Sequence, residues 1–341
     1  MKTATPTLAR AINDRLALDL LLERGPLTAP QLRTLTGLSR PTVSDLIERL
    51  RVDGLIEVTG ETGEDRRGPN ARLYGVVAGR AHLAGVDVRR DAVHVTVADL
   101  AGGVVDAVTR PLPPSPDLAA VIAETVAEAA GGRALNTVVL GAPGLVHPRT
   151  GLTTDSGVPG WRADLLPVIR DMLGVRVLLE NEVNLAAIAE HRVGAAAGHD
   201  DFALLWLDDG VGGAVVLDGR LRRGASGGAG EVGLLRFEGR EFCSLLEADV
   251  VRDLAPGVIA DRIVQCVFTL VAVLDPGLVV LGGATGRRGG EELATLVARR
   301  LHDLSPAPTR VRPSAMEGNA VLQGAVLTAL DLTRDTVFGG T

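Results

Sequence analysis

The chain of 341 residues is poor in three residue types that define whole classes of protein. Its eight aromatic side chains, 2% of the sequence, exclude a surface of rings on which single-stranded bases stack. Its two cysteines, Cys243 and Cys266, cannot form a disulfide framework, which is typical of a reducing compartment. Lys2 is the single lysine, beside 34 arginines. With 46% apolar residues and few rings, the core must consist mainly of Ala, Val and Leu.

Long apolar segments are also missing from the sequence. We find no run of the ~20 apolar residues that a membrane-spanning helix needs. Residues 1–12 contain no continuous apolar segment of a signal peptide. We therefore expect a cytoplasmic protein without a membrane partner, and the length fits two or three domains.

Charge is unevenly distributed along the chain, whose net charge is −7. Residues 1–80 contain 12 Lys and Arg against 10 Asp and Glu, a net of +2. Residues 81–341 contain 23 against 32, a net of −9. This split favours a small module that contacts nucleic acid, attached to an acidic body.

The N-terminal residues have the pattern of a winged helix-turn-helix. Gly25 and Pro26 end a first amphipathic segment, and Thr28 and Ser39 are predicted N-caps of the next two helices. Three helices followed by a hairpin predict a DNA-binding domain over residues 1–78. The predicted elements are helices over residues 8–24, 28–36 and 39–50 and strands over 55–58 and 72–77.

The third predicted helix has the residue types of a recognition helix. Such a helix carries short polar and arginine side chains at its N-terminal end, where base edges lie. The residues that meet this requirement are Ser39, Arg40, Thr42 and Ser44. Arg66 and Arg67, in the polar segment between the strands, suit phosphate or minor-groove contact. An ordinary surface helix and a solvated loop are the alternative, and the three correctly spaced helices favour DNA.

From residue 82 onwards strands and helices alternate, which predicts an α/β fold with mixed sheets covered by helices. Two blocks of three strands followed by a helix begin near residues 82 and 202. They predict two similar lobes with a cleft between them. We place one lobe at about residues 79–195 plus 320–341 and the other at about 196–319.

Segments rich in glycine or in polar residues lie at the ends of several predicted strands, where open α/β sheets bind ligands. These segments are residues 85–91, 141–144, 157–161, 180–184, 208–213 and 224–234. Their order resembles the ROK family, which groups bacterial repressors with sugar kinases. The resemblance implies a two-lobed actin-like ATPase (ribonuclease H-like) fold over residues 79–341. It also implies phosphate loops at 85–91 and 208–213, a sugar loop at 157–161 and a catalytic element at 180–184.

The two implied phosphate loops depart from the family's pattern. The first contains Arg89, Arg90 and Asp91 where the resemblance implies Gly, Gly and Thr. The second begins with Asp208 and Asp209, whose negative charge opposes the binding of ATP phosphates. Both departures predict weak nucleotide binding, since polyphosphate is held by free backbone N–H groups between small residues.

The implied catalytic base also departs from the pattern. Glu182 stands where the resemblance implies Asp, and its side chain is one methylene longer. A displacement of about 1 Å can lower a rate ~100-fold. Together with the altered loops, this predicts a body that does not transfer a phosphoryl group.

The family's structural zinc has no counterpart in the sequence. The resemblance implies zinc held by a histidine and a cysteine run, whereas this chain has Leu234 at the histidine position and Cys243 alone in the run. Zinc requires four N or S ligands. We expect no metal and no cofactor, and we interpret Cys243 and Cys266 as small apolar core residues.

Four candidate ligand-binding residues remain, as acceptors for hydroxyl groups: Asn181, Glu182, Glu231 and Glu247. Gly157 and Leu234 replace the Asn and His that the resemblance implies for sugar contact. Losing a buried partner costs roughly 1–3 kcal/mol. The ligand is therefore not an ordinary hexose, or the pocket is vestigial. For Glu231 a helix-cap or ion-pair role stays open.

These patterns predict a transcriptional regulator, a repressor that binds double-stranded operator DNA as a homodimer or tetramer. Its inactive kinase-like body would sense a sugar or a sugar derivative. An active ATP-dependent sugar kinase with an appended DNA-binding domain is the alternative. A regulator whose pocket has collapsed and binds no ligand is a third hypothesis.

Overall fold

The computed structural model describes residues 6–61, 71–151, 153 and 157–339. Its N-terminal part is a winged helix, as predicted. The two predicted N-caps, Thr28 and Ser39, both form hydrogen bonds with residues three positions further along the chain. The Thr42 backbone N–H donates to Ser39 Oγ at 3.3 Å, and Thr28 forms a capping box with Gln31. The strands form an antiparallel sheet in the order β1-β3-β2. The elements are α1 (Pro6–Arg24), β1 (Leu27–Thr28), α2 (Ala29–Thr36), α3 (Arg40–Val52), β2 (Ile56–Glu61) and β3 (Arg72–Val76).

A 3-10 turn at Ala78–Arg80 leads into a first five-stranded sheet. Its strands lie in the order β6-β5-β4-β7-β8, in which β4, β7 and β8 are parallel and β5 and β6 antiparallel. The elements are β4 (His82–Val88), β5 (Ala92–Asp99), β6 (Val104–Pro111), α4 (Leu118–Ala130), β7 (Leu135–Ala142), α5 (Leu165–Leu173), β8 (Arg176–Asn181) and α6 (Glu182–Val193).

A second five-stranded sheet repeats this arrangement in the order β11-β10-β9-β14-β15, as the two blocks in the sequence predict. Its elements are β9 (Phe202–Leu207), β10 (Val211–Leu217), β11 (Arg220–Leu221), β12 (Arg236–Phe237), β13 (Arg240–Glu241), α7 (Phe242–Leu246), α8 (Ala248–Val251), α9 (Pro256–Leu274), β14 (Leu278–Gly282), α10 (Gly283–Leu304), β15 (Arg310–Pro313) and α11 (Ala320–Val337). β12 and β13 form a separate hairpin.

Helices and sheets form alternating layers. α6 and α11 lie between the two sheets, where one apolar cluster joins residues of both helices and both sheets. α4 and α5 cover the other face of the first sheet, and α9 and α10 that of the second. The mixed α/β fold with two similar halves is therefore confirmed, whereas the lobe boundaries given above stay predictions.

Helix α9 passes a test of length and composition for a membrane-crossing helix, although Asp261 and Arg262 interrupt its apolar residues. Its most apolar window of 18 residues has a mean hydropathy of 1.9. Ile263 and Val267 are fully buried in the apolar cluster that α9 and α10 form against the second sheet. A helix that packs in a core is apolar on a broad face, and this accounts for the composition of α9.

Candidate functional site

The cleft lies where the parallel strands of the two sheets end. In the first sheet Asp87 pairs with Gly141 and Gly141 with Glu180, so the last residues of three strands lie side by side. In the second sheet Trp206 of β9 pairs with Gly282 of β14. A cavity of about 90 Å³ lies between these edges, lined by Asp87, Val88, Arg89, Arg90, Pro143, Glu182, Trp206, Asp208, Asp209, Gly210 and Val321. It contains residues of both predicted phosphate loops.

The arginine of the first predicted phosphate loop is bound inside the protein. Arg89 Nε donates to Asp87 Oδ2 at 2.6 Å, and Asn319 Nδ2 donates to the same oxygen at 2.7 Å. Asp87 is 1% exposed. The buried carboxylate is thus both neutralised and hydrogen-bonded, which a buried charge requires.

The second predicted phosphate loop contains a carboxylate with its own partner. The Ala284 backbone N–H, in the first turn of α10, donates to Asp208 Oδ2 at 3.2 Å. Burial raises the pKa of Asp208, and the positive charge of Arg89 opposes that shift. Asp208 therefore accepts a hydrogen bond from a helix N-terminus that would otherwise be available to a ligand.

Glu182, at the predicted position of the catalytic base, begins helix α6 and is half-buried. Asn181 Nδ2 donates to Glu182 Oε2 at 2.8 Å. Burial raises the pKa of Glu182 to about 8, and the charges of Asp87 and Glu231 act in the same direction. Near pH 7 this carboxyl is mostly protonated, and a protonated carboxyl is a poor general base.

Asn181 stands close to Glu182, but its oxygen has a structural role. Asn181 Oδ1 accepts hydrogen bonds from the backbone N–H groups of Val183 at 2.9 Å and Asn184 at 3.1 Å, which makes Asn181 the N-cap of α6. Both lone pairs are therefore used. A ligand hydroxyl would compete with these two N–H groups for Asn181 Oδ1, and the assignment of Asn181 to the ligand site stays a prediction.

Of the four predicted ligand residues, Glu182 alone lines the cavity in the described part of the chain. Glu231 is the N-cap residue of a 3-10 turn at Val232–Leu234, and its side chain makes no capping hydrogen bond and no ion pair with any described residue. Burial raises the pKa of Glu231. Glu247 lies between α7 and α8 and is half-buried. The sequence left two structural roles open for Glu231, a helix cap and an ion pair. Neither role is found among the described residues.

A buried network beside the cleft escaped sequence reasoning. Glu180, whose side chain is 6% exposed, accepts hydrogen bonds from Arg223 Nε at 2.6 Å and from Asn184 Nδ2 at 2.9 Å. Arg223 follows β11 of the second sheet, so this ion pair joins the two sheets. Glu180 and Asn184 are four residues apart, a spacing that brings side chains together across a helix start. Arg223 has no such signal in the sequence.

Several glycines expected to admit a ligand are in contact with protein backbone instead. A Cβ atom on Gly85 would lie 2.7 Å from the Val326 nitrogen of helix α11. A Cβ atom on Gly230 would lie 1.9 Å from the carbonyl oxygen of Gly213. Gly85 and Gly230 therefore allow close packing of backbone on backbone, and the phosphate loops over residues 85–91 and 208–213 stay predictions.

The predicted DNA-contact residues of helix α3 are all exposed, and they are Ser39, Arg40, Thr42 and Ser44. A groove of about 350 Å³ lies between α2 and α3, lined by Ala29, Pro30, Arg33, Arg40, Val43 and Ser44. Arg33 of α2 also lines this groove, and the sequence analysis did not name it as a candidate DNA contact. Its position on the helix before the recognition helix was the signal that could have found it. Arg66 and Arg67 lie outside the described residues, so their role stays a prediction.

The two cysteines differ in their surroundings. Cys266 is fully buried, and burial raises the pKa of its thiol to about 12. Cys243 is half-buried, and its Sγ donates to the Val211 carbonyl oxygen at 3.7 Å. The interpretation as a buried residue thus holds for Cys266 and only partly for Cys243. Within residues 6–61, 71–151, 153 and 157–339, no group of three His, Cys, Asp or Glu side chains is arranged to hold a metal ion.

Comparisons with known proteins identify the two parts of the chain. A model of the ROK family matches residues 83–244, and a model of the MarR family matches residues 12–68. The chain therefore contains a ROK family domain preceded by a MarR-type winged helix-turn-helix. The xylose repressor of Bacillus subtilis is 28% identical over 249 residues, which cover 70% of this chain. The match covers 64% of that repressor, somewhat less than two thirds of its length.

Solved structures of ROK proteins include regulators and kinases. A ROK family transcriptional regulator, a homolog of the E. coli MLC protein, superposes with a TM-score of 0.76 at 18% identity. That superposition covers 97% of this chain and 100% of the other. The ROK hexokinase from Thermus thermophilus superposes with a TM-score of 0.63 at 26% identity, covering 74% of this chain and 99% of the hexokinase. Family membership is thus compatible with both activities.

Proposed function

We propose that this ROK protein is a transcriptional repressor that binds double-stranded operator DNA and whose kinase-like body senses a ligand. The observation that carries the proposal is the winged helix with an exposed polar N-terminal end of α3, joined to the ROK body. The hexokinase match covers 74% of this chain, while the regulator match covers 97%, including the winged helix. The similarity to a xylose repressor supports the same function.

The body binds a ligand without phosphorylating it in this proposal. Arg89 and Asp208 make internal contacts in both loops that would hold phosphates. Glu182, with a pKa of about 8, is mostly protonated where a general base must be ionised. The cavity of about 90 Å³ is smaller than the ~300–1,000 Å³ of typical ligand pockets, so a sugar and ATP do not fit in it together. The ligand is a sugar or a sugar derivative, in keeping with the family.

The DNA complex follows from the geometry of winged helices. Helix α3 enters the major groove, with Arg40 and Ser44 near base edges and Arg33 near a phosphate. Arg66 and Arg67 contact the backbone or the minor groove. A cytoplasmic homodimer or tetramer binds two half-sites one helical turn apart, about 34 Å.

Operator binding tests this function. Genome-wide mapping of bound DNA identifies the operator, and fluorescence anisotropy then measures its affinity. We expect Arg40→Ala to weaken binding by about 10-fold or more, since a contact to a base edge contributes ~1–3 kcal/mol. Arg299→Ala, at an exposed arginine of helix α10, is the matched control and leaves the affinity unchanged. Equal affinities of both variants for the operator contradict the assignment of α3.

The kinase alternative has a test of its own. Purified protein is incubated with ATP and a panel of hexoses, and the product ADP is measured. We expect no turnover above background. Turnover that Glu182→Gln abolishes would replace the repressor proposal by an active sugar kinase.

A further inference from the structure

A cavity of about 740 Å³ lies where the winged helix meets the body, away from the cleft between the two sheets. Helix α1, the start of strand β8 and the end of helix α11 form its walls. Volumes of ~300–1,000 Å³ and positions between domains are typical of small-molecule sites. The side chains that carry the argument are Ile12, Arg15, Arg176, Asp335 and Phe338.

Part of this cavity wall is apolar. Ile12 of α1 is 55% exposed although it is a large aliphatic residue. Leu8 and Leu16, one turn before and after it, are 36% and 41% exposed, so an apolar stripe continues along α1 beyond the cavity. Phe338 lines the cavity from the body and packs in the apolar cluster of the winged helix. An aliphatic ligand would remove the exposed surface of Ile12 from water.

The charged groups of the wall are unequally matched. Arg15 Nη1 donates to Asp335 Oδ1 at 2.8 Å, and Arg15 Nε donates to Asp19 Oδ1 at 3.1 Å. Arg176, the first residue of β8, is exposed, and its side chain has neither a hydrogen bond nor an ion pair with any described residue. Since Arg15 and Asp335 cancel, the lining keeps one positive charge, on a guanidinium whose donors are free.

We propose that the cavity at this junction binds an amphipathic anion, a compound with an aliphatic chain and one terminal carboxylate or phosphate. The chain lies against Ile12 and Phe338, and the anionic group pairs with Arg176. A guanidinium binds either anion through two parallel hydrogen bonds. A neutral sugar would leave Ile12 in water and Arg176 without a counter-ion. The inference goes beyond the proposed repressor function and is independent of any ligand in the cleft.

A ligand at this position contacts both parts of the molecule at once. Ile12 belongs to the winged helix, whereas Arg176 and Phe338 belong to the body. A ligand bound to both favours the arrangement in which the two parts are packed together. Because it binds the folded protein alone, it should also raise the melting temperature as its concentration increases.

Isothermal titration calorimetry with the full-length protein tests the proposal, with octanoate, octyl phosphate, 1-octanol and octylammonium as probes of equal chain length. We expect octanoate or octyl phosphate to bind about 5-fold or more tightly than 1-octanol, since a hydrogen-bonded ion pair at an exposed guanidinium contributes about that factor. Octylammonium should bind more weakly than 1-octanol. The tighter of the two anions identifies a carboxylate or a phosphate as the natural headgroup.

Variants assign the two halves of the ligand to their contacts. Arg176→Gln removes the preference for anions, and Arg176→Glu reverses it in favour of octylammonium. Arg299→Gln, at an exposed arginine of α10 outside the cavity, is the matched control and retains the preference. Ile12→Ser weakens the binding of all probes because it removes the contact with the aliphatic chain.

Three results overturn the proposal. The first is that 1-octanol binds as tightly as both anions, or that neither anion binds at about 5 mM. The second is that Arg176→Gln keeps the preference for anions. The third is that Ile12→Ser binds every probe as tightly as wild type. Operator affinity measured without a probe separates these outcomes from failure of the repressor function, because Arg176→Gln should leave it unchanged.

Discussion

Helix α11 has a polar end and an apolar end, and the two lie in different parts of the molecule. At the N-terminal end Asn319 caps the helix and donates to Asp87 in the cleft at 2.7 Å. Just beyond the C-terminal end Phe338, 5% exposed, belongs to the same apolar cluster as Leu18 of α1 and Leu46 of α3 in the winged helix. One helix of 18 residues, about 27 Å long, therefore connects the cleft to the winged helix.

The difference between the two ends indicates how they respond to a ligand. Hydrogen bonds to a buried carboxylate are directional, so a ligand that competes for them changes the position of the helix end. Apolar burial is not directional, so the other end stays attached while the helix moves. In the proposed repressor, a ligand would change operator affinity through α11 only as far as it binds one arrangement of the helix more tightly than the other.

The largest expected effect comes from Phe338→Ala, which removes the apolar end. Truncating a buried Phe costs about 3–5 kcal/mol, and here the loss falls on the contact between α11 and the winged helix. We expect urea denaturation followed by circular dichroism to show that loss in the free energy of unfolding. Val273→Ala is the control, because Val273 is 77% exposed and its loss should cost under about 0.5 kcal/mol. Equal stability of the two variants would contradict a role for Phe338 in the core.

The next largest effect is a dependence of the free energy of unfolding on pH, and it arises from Glu182 in the cleft. The pKa of Glu182 is raised from its ordinary value near 4.5 to about 8 in the folded protein. The folded state therefore holds a proton that the unfolded state loses, and stability falls as pH rises from about 4.5 to 8. Glu182→Gln keeps a neutral side chain at every pH.

Denaturation of wild type and Glu182→Gln at pH 5, 6, 7 and 8 measures this slope. We expect the variant to gain stability relative to wild type with rising pH, by a few kcal/mol at pH 8. A constant difference between the two proteins across this range would show that Glu182 ionises normally. Glu124→Gln is a suitable control, because Glu124 is an exposed carboxylate on α4.

A smaller effect is expected from Asn319→Ala, which removes the polar end. It deletes the cap of α11 and one of the two donors to Asp87 Oδ2. Loss of a helix cap costs about 1 kcal/mol of folding free energy, and the loss of one hydrogen bond to the buried Asp87 carboxylate adds to it. Asn319→Asp keeps the cap but replaces the hydrogen bond to Asp87 by repulsion between two carboxylates, so we expect it to cost more than the hydrogen bond alone. If Asn319→Asp is as stable as wild type, the hydrogen bond to Asp87 is unimportant.

The two ends of α11 also differ in how far the sequence predicts them. Thr28 and Ser39 were predicted as caps because a cap depends on residues two or three positions away. The same local rule applies to Asn181, which precedes a predicted helix, although its amide was interpreted as a ligand contact. Asn319 and Asp87 are 232 residues apart, so no spacing links them. The fold class and the cleft were therefore predictable, and the pairing of charges inside the cleft was not.

The smallest expected effect concerns an ion pair at the apolar end. Arg15 Nη1 of α1 donates to Asp335 Oδ1 of α11 at 2.8 Å, and its guanidinium lies 5.5 Å from the ring centre of Phe338. Asp335 is 60% exposed at its side chain, so the pair is screened by water and contributes under about 1 kcal/mol. We expect Asp335→Asn to change the free energy of unfolding by less than that and Phe338→Ala to change it several-fold more. A loss from Asp335→Asn as large as that from Phe338→Ala would mean that charge, rather than apolar burial, attaches the winged helix to the body.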